Sequence, residues 1–325
     1  MKALKYSDIC LVPEFGTCAS RSECSTEVKL GKHLFKLPIV PANMKSVIND
    51  AHCQWLSQND YFYVMHRFDI DIAKFVDKAN RESWKNISIS LGVKPADLEL
   101  VNNFKSWGSR IDFITVDIAH GYSHLMKEML SHIRAKLGDE VFVIAGNVCN
   151  PQGVAALASW GADAVKVGIG QGSPCTTKDK TGFTMPMFTS VLKCGNTYAS
   201  QSDFTSNKRI PIIADGGITC NGDIAKALVA GADMVMAGGL FACCADSPAV
   251  ALTIDGVVHH AYFGSASFEN KRKRTHIEGK LNHVPTCGMT IEDKLVEISE
   301  DLKSAISYAG GKDLSAFSKT KYLTV

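Results

Sequence analysis

Cys175 stands in the stretch VKVGIGQGSPCTTK (residues 165–178), where an apolar run gives way to glycines and small polar residues. A loop so rich in glycine is poorly suited to filling a core. A thiol on it beside Thr176, Thr177, Lys178 and Lys180 has the exposure and positive surroundings that favour thiolate. Covalent nucleophilic catalysis is the chemistry this pattern suits; an inert packing cysteine is the other reading, and the local sequence leaves both open. Other chemistry-bearing residues also follow apolar runs: Asn43, His66 and Arg67, Asp117 and His120, Asn147, Asp215 with Gly216 and Gly217, and Gly238 with Gly239. The glycine pairs offer backbone N–H groups to a closely approaching phosphate. Ser173 adds a hydroxyl for the same phosphate, and Asp215 suits ribose hydroxyls. Tight turns would use the same glycines.

Such residues meet only if the elements before them converge. Eight apolar runs recur roughly every 25 residues: LPIVPANM (37–44), YFYVMHR (61–67), NISISLGV (86–93), FITVDIAHG (113–121), VFVIAGNV (141–148), AVKVGIG (164–170), PIIADGG (211–217) and MVMAGGLF (234–241). They alternate with helix-like segments such as 150–160 and 221–230, which predicts strands buried on both faces and a single α/β domain, a (β/α)8 TIM barrel spanning residues 1–325. An open doubly wound sheet would alternate too, but no GxGxxG follows the first strand. In a barrel, the residues just after each run gather at one face. The gap between the sixth and seventh strands is about twice the usual spacing, and a long insertion, 246–290, follows the eighth. Within it KRKRTHIEGK reads as a flap over the site, or as a solvated excursion. The tail LVEISEDLKSAISYAGG predicts a closing helix ended by glycine.

With 325 residues, 46% hydrophobic and a formal net charge of +2, the chain can bury a large core and carries no global field for nucleic acid or membrane. No apolar run reaches the roughly 18 residues of a span, and the N-terminus lacks a signal peptide's apolar segment, so a cytoplasmic location is expected. Eleven cysteines, an odd number without CxxC spacing, argue against a disulfide framework or structural zinc. Cys10, Cys53, Cys243 and Cys244 read as small packing residues.

The motif GIGQGSPCTT, with LPIVPANM, IADGGI and YFGSAS, resembles the family of IMP dehydrogenases and GMP reductases. SRSE (20–23), DIAHGYS (117–123), AGNV (145–148), EGK (278–280) and SYAGG (307–311) follow in family order, so the resemblance runs nearly end to end. It implies that Cys175 attacks C2 of a purine nucleotide. The dehydrogenase branch uses an Arg-Tyr pair in a long flap and usually carries an inserted regulatory domain. No Arg-Tyr dipeptide occurs here and the barrel leaves no room for the insertion, so the reductase branch, in its shorter bacterial form, is implied. A dehydrogenase core without its regulatory domain, an inert purine-nucleotide-binding scaffold and a flavin-dependent barrel oxidoreductase are the competing readings.

The reaction the resemblance implies is reductive deamination of GMP by NADPH to IMP and ammonia through a Cys175 thioimidate, with Thr177 and Glu278 relaying the proton. By the same resemblance, Ser173, Asp215, Gly216, Gly217, Gly238, Gly239, Tyr262, Gly264, Ser265, Ala266 and Gly279 would hold the nucleotide. Ser20, Arg21, His66, Asp117, Ile118, Ala119, Tyr308, Gly310 and Gly311 would contact the cofactor, some of them from a neighbouring subunit of a homotetramer. Carbonyls of Gly170, Gly172 and Cys175 would bind a monovalent cation, K+. The run 271–274 is assigned to attracting the cofactor's phosphates. The chain departs from the family at Gln171, where proline is usual, at Pro174, where a small or aliphatic residue is usual, and at Cys243 and Cys244.

Overall fold

The computed structural model describes residues 2–197, 209–272 and 275–325. Three short strands, β1 (Ile9–Leu11), β2 (Val28–Leu30) and β3 (His33–Phe35), lead into β4 (Ile39–Pro41), β5 (Ser88–Leu91), β6 (Phe113–Asp117), β7 (Phe142–Val148), β8 (Ala164–Val167), β9 (Ile212–Asp215) and β10 (Met234–Ala237). The last seven form one parallel sheet in the order β4-β10-β9-β8-β7-β6-β5. Because β4 lies beside β10, with Val235 opposite Ile39, the first of these strands meets the last and the sheet must curl. Every residue of β5, β8 and β10 is buried, as expected of strands covered on both faces. The fold is TIM-barrel-like.

The run at 61–67, expected as a strand, is an extended segment tied to the sheet by one parallel bridge, Met65 to Ile89. Side chains replace the missing ladder. Ser90 Oγ donates to Met65 O at 2.7 Å, and Tyr63 Oη donates to Asn86 O at 3.0 Å while accepting from Ser88 N at 3.2 Å. On its other side Lys36 N–H donates to Asp60 O. The segment thus fills the place between β4 and β5 without full pairing. Phe35, on the β2–β3 hairpin, packs on Phe62 (5.1 Å between ring centroids) and Phe62 on Phe113 (5.0 Å), plugging the end of the sheet at which the strands begin.

Helices α1 (Asp50–Gln58), α2 (Ile72–Arg81), α3 (Pro95–Trp107), α4 (His124–Leu137), α5 (Pro151–Ser159), α6 (Thr177–Thr181), α7 (Met187–Cys194) and α8 (Asn221–Val229) alternate with the strands. Their starts are written locally: Asn49, Asp71, Ser123 and Asn150 each accept from a backbone N–H one turn on, satisfying a group the helix cannot pair itself. Helices α6 and α7 occupy part of the wide gap after β8. After β10 come α9 (Gly239–Ala242), then β11 (Ala251–Ile254), β12 (Val257–Phe263), α10 (Phe268–Lys271) and β13 (Leu281–Pro285). The long insertion is therefore an antiparallel β11–β12–β13 sheet with a helical turn. Helix α11 (Ile291–Tyr308), opened by a Thr290–Asp293 capping box, closes the fold, and β14 (Tyr322–Thr324) pairs with β1.

Candidate active site

The C-terminal ends of the sheet strands and the antiparallel insertion border an open cleft. Its wall includes Cys175, which is partly buried, on the loop between β8 and α6. Two glycines of that loop adopt positive φ, Gly168 at 150° and Gly170 at 73°, backbone that a side chain resists. The loop is fastened from outside. Gln171 Nε2 donates to Thr184 Oγ1 at 2.6 Å, and Thr184 Oγ1 donates to Ile169 O.

The segment beyond α10 crosses this loop as a single antiparallel bridge, Cys175 to Gly279. Lys280 N–H donates to Pro174 O and Thr176 N–H to Glu278 O, so Glu278 is delivered by backbone pairing. Its carboxylate accepts from Thr177 Oγ1 at 2.6 Å. Thr177 Oγ1 in turn accepts from Cys175 Sγ at 3.3 Å. Thiol, hydroxyl and carboxylate thus form one line along which a proton can pass from sulfur to Glu278.

Opposite, the floor is a buried charge network. Lys166 Nζ lies 2.7 Å from Asp117 Oδ1 and 3.0 Å from Asp215 Oδ2. Asn43 Nδ2 donates to Asp117 Oδ2, and Asn147 Nδ2 to Asp215 Oδ2 and Gly168 O. Burial opposes the charge on Asp117, but Lys166, Arg67 and Asn43 outweigh it and hold the carboxyl below its usual range. Burial likewise opposes the charge on Lys166, and the two carboxylates more than restore it. Among the described residues, two polar atoms in the cleft wall are buried without partners, Arg67 Nε and Asn147 Oδ1. A hydrogen-bonding ligand would satisfy such atoms.

Residues 3–325 match the family model for the IMP dehydrogenase / GMP reductase domain. The chain belongs to that family. Among similar proteins, one from Mesoplasma florum named GMP reductase is 47% identical over 99% of this chain and 98% of its own length. One of the same name from Mycoplasma mycoides is 46% identical over 99% and 98%. A third, from Staphylococcus carnosus and also named GMP reductase, is 44% identical over 100% and 97%.

Most residues singled out by the family resemblance line the one cleft: Asp117, Ile118, Ala119, Gly170, Gly172, Cys175, Thr177, Asp215, Gly216, Gly238, Tyr262, Gly264, Ser265, Ala266, Glu278 and Gly279. Ser173, Gly217 and Gly239 adjoin lining residues; Ser173 Oγ accepts from Asn282 Nδ2 at 3.1 Å. At Gly238 a Cβ would fall 2.1 Å from Tyr262 Oη, so backbone and ring meet only because that residue is glycine. His66 is buried beside the cleft, and its Nδ1 accepts from Phe68 N–H.

Ser20, Arg21, Tyr308, Gly310 and Gly311 are not in the cleft wall. They belong to a second cluster, where the Arg21 guanidinium lies 5.9 Å from the Tyr308 ring centroid, Thr17 Oγ1 donates to Gly310 O and Cys18 Sγ to Gly311 O. In the basic run, Lys271 Nζ donates to His276 O and Arg272 lies 3.6 Å from Asp69; Lys273 and Arg274 fall outside the described residues. Sequence reasoning missed Lys166. Its signal was a lysine inside the apolar run of β8, in a chain whose runs at β6 and β9 end in Asp117 and Asp215.

Proposed function

We propose that the chain catalyses NADPH-dependent reductive deamination of GMP to IMP and ammonia through a covalent Cys175 thioimidate. The observation that carries this reading is the continuous hydrogen-bonded line from Cys175 through Thr177 to Glu278, opening on a cleft with a glycine-rich rim. A proton moving along that line leaves Cys175 as thiolate and Glu278 as neutral acid. The thiolate adds to C2 of the guanine ring. The C2–N bond breaks as Glu278, through Thr177, returns the proton to the departing amine. In the second half C2 gains a hydride, the C–S bond breaks, and Cys175 is released as thiolate.

Ser173, Gly216, Gly217, Gly238 and Gly239 would hold the nucleotide phosphate, with Tyr262, Gly264, Ser265, Ala266 and Gly279 closing over it and Asp215 on the ribose. Asp117, Ile118, Ala119 and His66 would border the cofactor. The unpartnered Arg67 Nε and Asn147 Oδ1 offer one donor and one acceptor, which fits a carboxamide-bearing ring. Bound NADPH supplies the hydride; the residues around it exclude water and hold the base. The carbonyls of Gly170, Gly172 and Cys175 are uncharged oxygen donors, which fits a weakly hydrated monovalent cation such as K+. Gly172 O already accepts from Cys175 N–H and keeps one lone pair for it.

The cluster of Ser20, Arg21, Tyr308, Gly310 and Gly311 would reach the cofactor of a neighbouring copy in a homotetramer, the whole chain serving as one catalytic unit. Exposed Leu323 and Val325 near that tail suit an interface. The free thiols suit a reducing, cytoplasmic compartment, and the reaction belongs to purine salvage. Incubation with IMP and NADP, quenching and peptide mass measurement tests the covalent step. An adduct on the Cys175 peptide is expected; an unmodified Cys175 with no turnover in either direction would overturn the reading.

A further inference from the structure

Lys166 is a buried charge that the proton relay leaves unused. It is 1% exposed and stands in β8, between β7 and β9. Room for it is made deliberately: a Cβ on the neighbouring Gly146 would lie 2.6 Å from Lys166 Cβ. Its ammonium is shared by Asp117 and Asp215, at 2.7 and 3.0 Å, and its other polar neighbour is the Met236 sulfur at 3.8 Å.

The two carboxylates end different strands, Asp117 on β6 and Asp215 on β9. Lys166 and Asn147 both grip Asp215 through Oδ2, which leaves Oδ1 for a ligand. Asp117 is held at Oδ1 by Lys166 and at Oδ2 by Asn43. Among the described residues, the other charged or titratable groups lining the cleft with this network are Arg67 and Tyr262, with Cys175 and Glu278 on the opposite wall. Arg67 donates to the backbone carbonyl of Asp117, and Tyr262, deprotonated even less readily than an ordinary phenol because it is buried, adds no charge. Arg67 also favours the charged form of Asp117, but neither residue bridges the two carboxylates as the ammonium does.

We infer that Lys166 is a positioning residue that locks the nucleotide-side carboxylate, Asp215, to the cofactor-side carboxylate, Asp117. The assignment of the two sides rests on the proposed function; the coupling between the carboxylates does not. Without the ammonium, two carboxylates would share a poorly solvated site, and one of them would take up a proton. Both halves of the cleft would then lose their geometry together.

Lys166→Met in the full chain tests this by three readouts: GMP affinity measured without cofactor, the KM for NADPH, and thermal stability against pH. GMP affinity should weaken and the NADPH KM rise by about tenfold or more each. A titration absent from the unchanged protein should appear between about pH 5 and 8. The sign follows from the raised carboxyl pKa: the folded variant binds the extra proton, so its stability rises as pH falls through that window. A lower melting temperature with unchanged affinity, KM and pH profile would overturn the inference.

If Lys166→Met does not fold, Lys166→Met/Asp117→Asn removes the surplus charge. It should fold and bind GMP within about threefold of the unchanged protein, a gap well under 1.4 kcal/mol, while its NADPH KM stays raised. A double variant that fails to fold, or that recovers both constants, would overturn the coupling. Should the unchanged protein bind no GMP, the proposed function has failed, and the pH titration of stability still decides the role of Lys166.

Discussion

Thr177 Oγ1 and Glu278 Oε2 lie 2.6 Å apart although 101 residues separate them in the chain. The antiparallel bridge between Cys175 and Gly279 makes this possible, because it lays the insertion's return strand directly across the nucleophile loop. The hydrogen-bonded line proposed as a proton relay is therefore assembled by the insertion and by the strand-end loop together.

Replacing Glu278 by Gln removes the proton store and keeps the shape. GMP reduction should fall by a factor on the order of 10² or more, within the range of general acid–base groups. Forming the adduct from IMP and NADP needs the Cys175 thiolate but no proton for a departing amine, so it should suffer less and still accumulate. Single-turnover measurement in the two directions separates these outcomes, and equal damage to both would assign Glu278 to holding the insertion in place.

Cys175→Ala should abolish turnover and leave GMP binding measurable by calorimetry, since the proposed phosphate and ribose contacts other than Ser173 lie on other strands. Retained turnover would make the thiol a packing residue.

Gly238→Ala places a methyl group 2.1 Å from Tyr262 Oη, and Tyr262 is only 3% exposed, so the ring cannot swing into solvent cheaply. GMP affinity should weaken by about tenfold or more, together with a loss of stability of about 1 to 3 kcal/mol from overpacking. Removing the hydroxyl in Gly238→Ala/Tyr262→Phe should restore much of the stability. No recovery in the double variant would show that the backbone conformation at residue 238, rather than the contact with Tyr262, is what matters.

These sites were legible to different degrees in the sequence. The apolar runs announced the strands because a strand buried on both faces leaves few polar positions, and residues at the ends of seven of the eight runs line the cleft. The run at 61–67 reads identically to its neighbours, yet Tyr63 and Ser90 hydroxyls take over its hydrogen bonds, a substitution that no hydrophobic pattern reveals. Lys166 was hidden because a lone lysine in a strand reads as an outward-facing residue, whereas its two carboxylate partners come from strands 49 and 49 residues away on either side. The cluster around Arg21 and Tyr308 was found as motifs, but nothing in a one-chain reading says that it lies apart from the cleft.

His66 supplies a pH test. Burial, then the charge of Lys45, pulls its pKa from 6.5 down to about 4, so the folded protein holds it neutral where the unfolded chain is protonated. Its contribution to stability is present above pH 6.5 and is lost as pH falls toward 4, by roughly 2 to 3 kcal/mol. In His66→Gln the melting temperature should fall less steeply over that interval, as thermal unfolding across the pH range would show. An unchanged slope would mean that His66 does not carry this dependence.

The central claim is tested most directly by following absorbance at the nicotinamide band in two parallel mixtures, one with GMP and NADPH and the other with IMP and NAD. Loss of NADPH with GMP, accompanied by IMP and ammonia, and no XMP in the second mixture is the predicted result. XMP formation at a comparable rate, or NADPH left unconsumed in the presence of GMP, would contradict it.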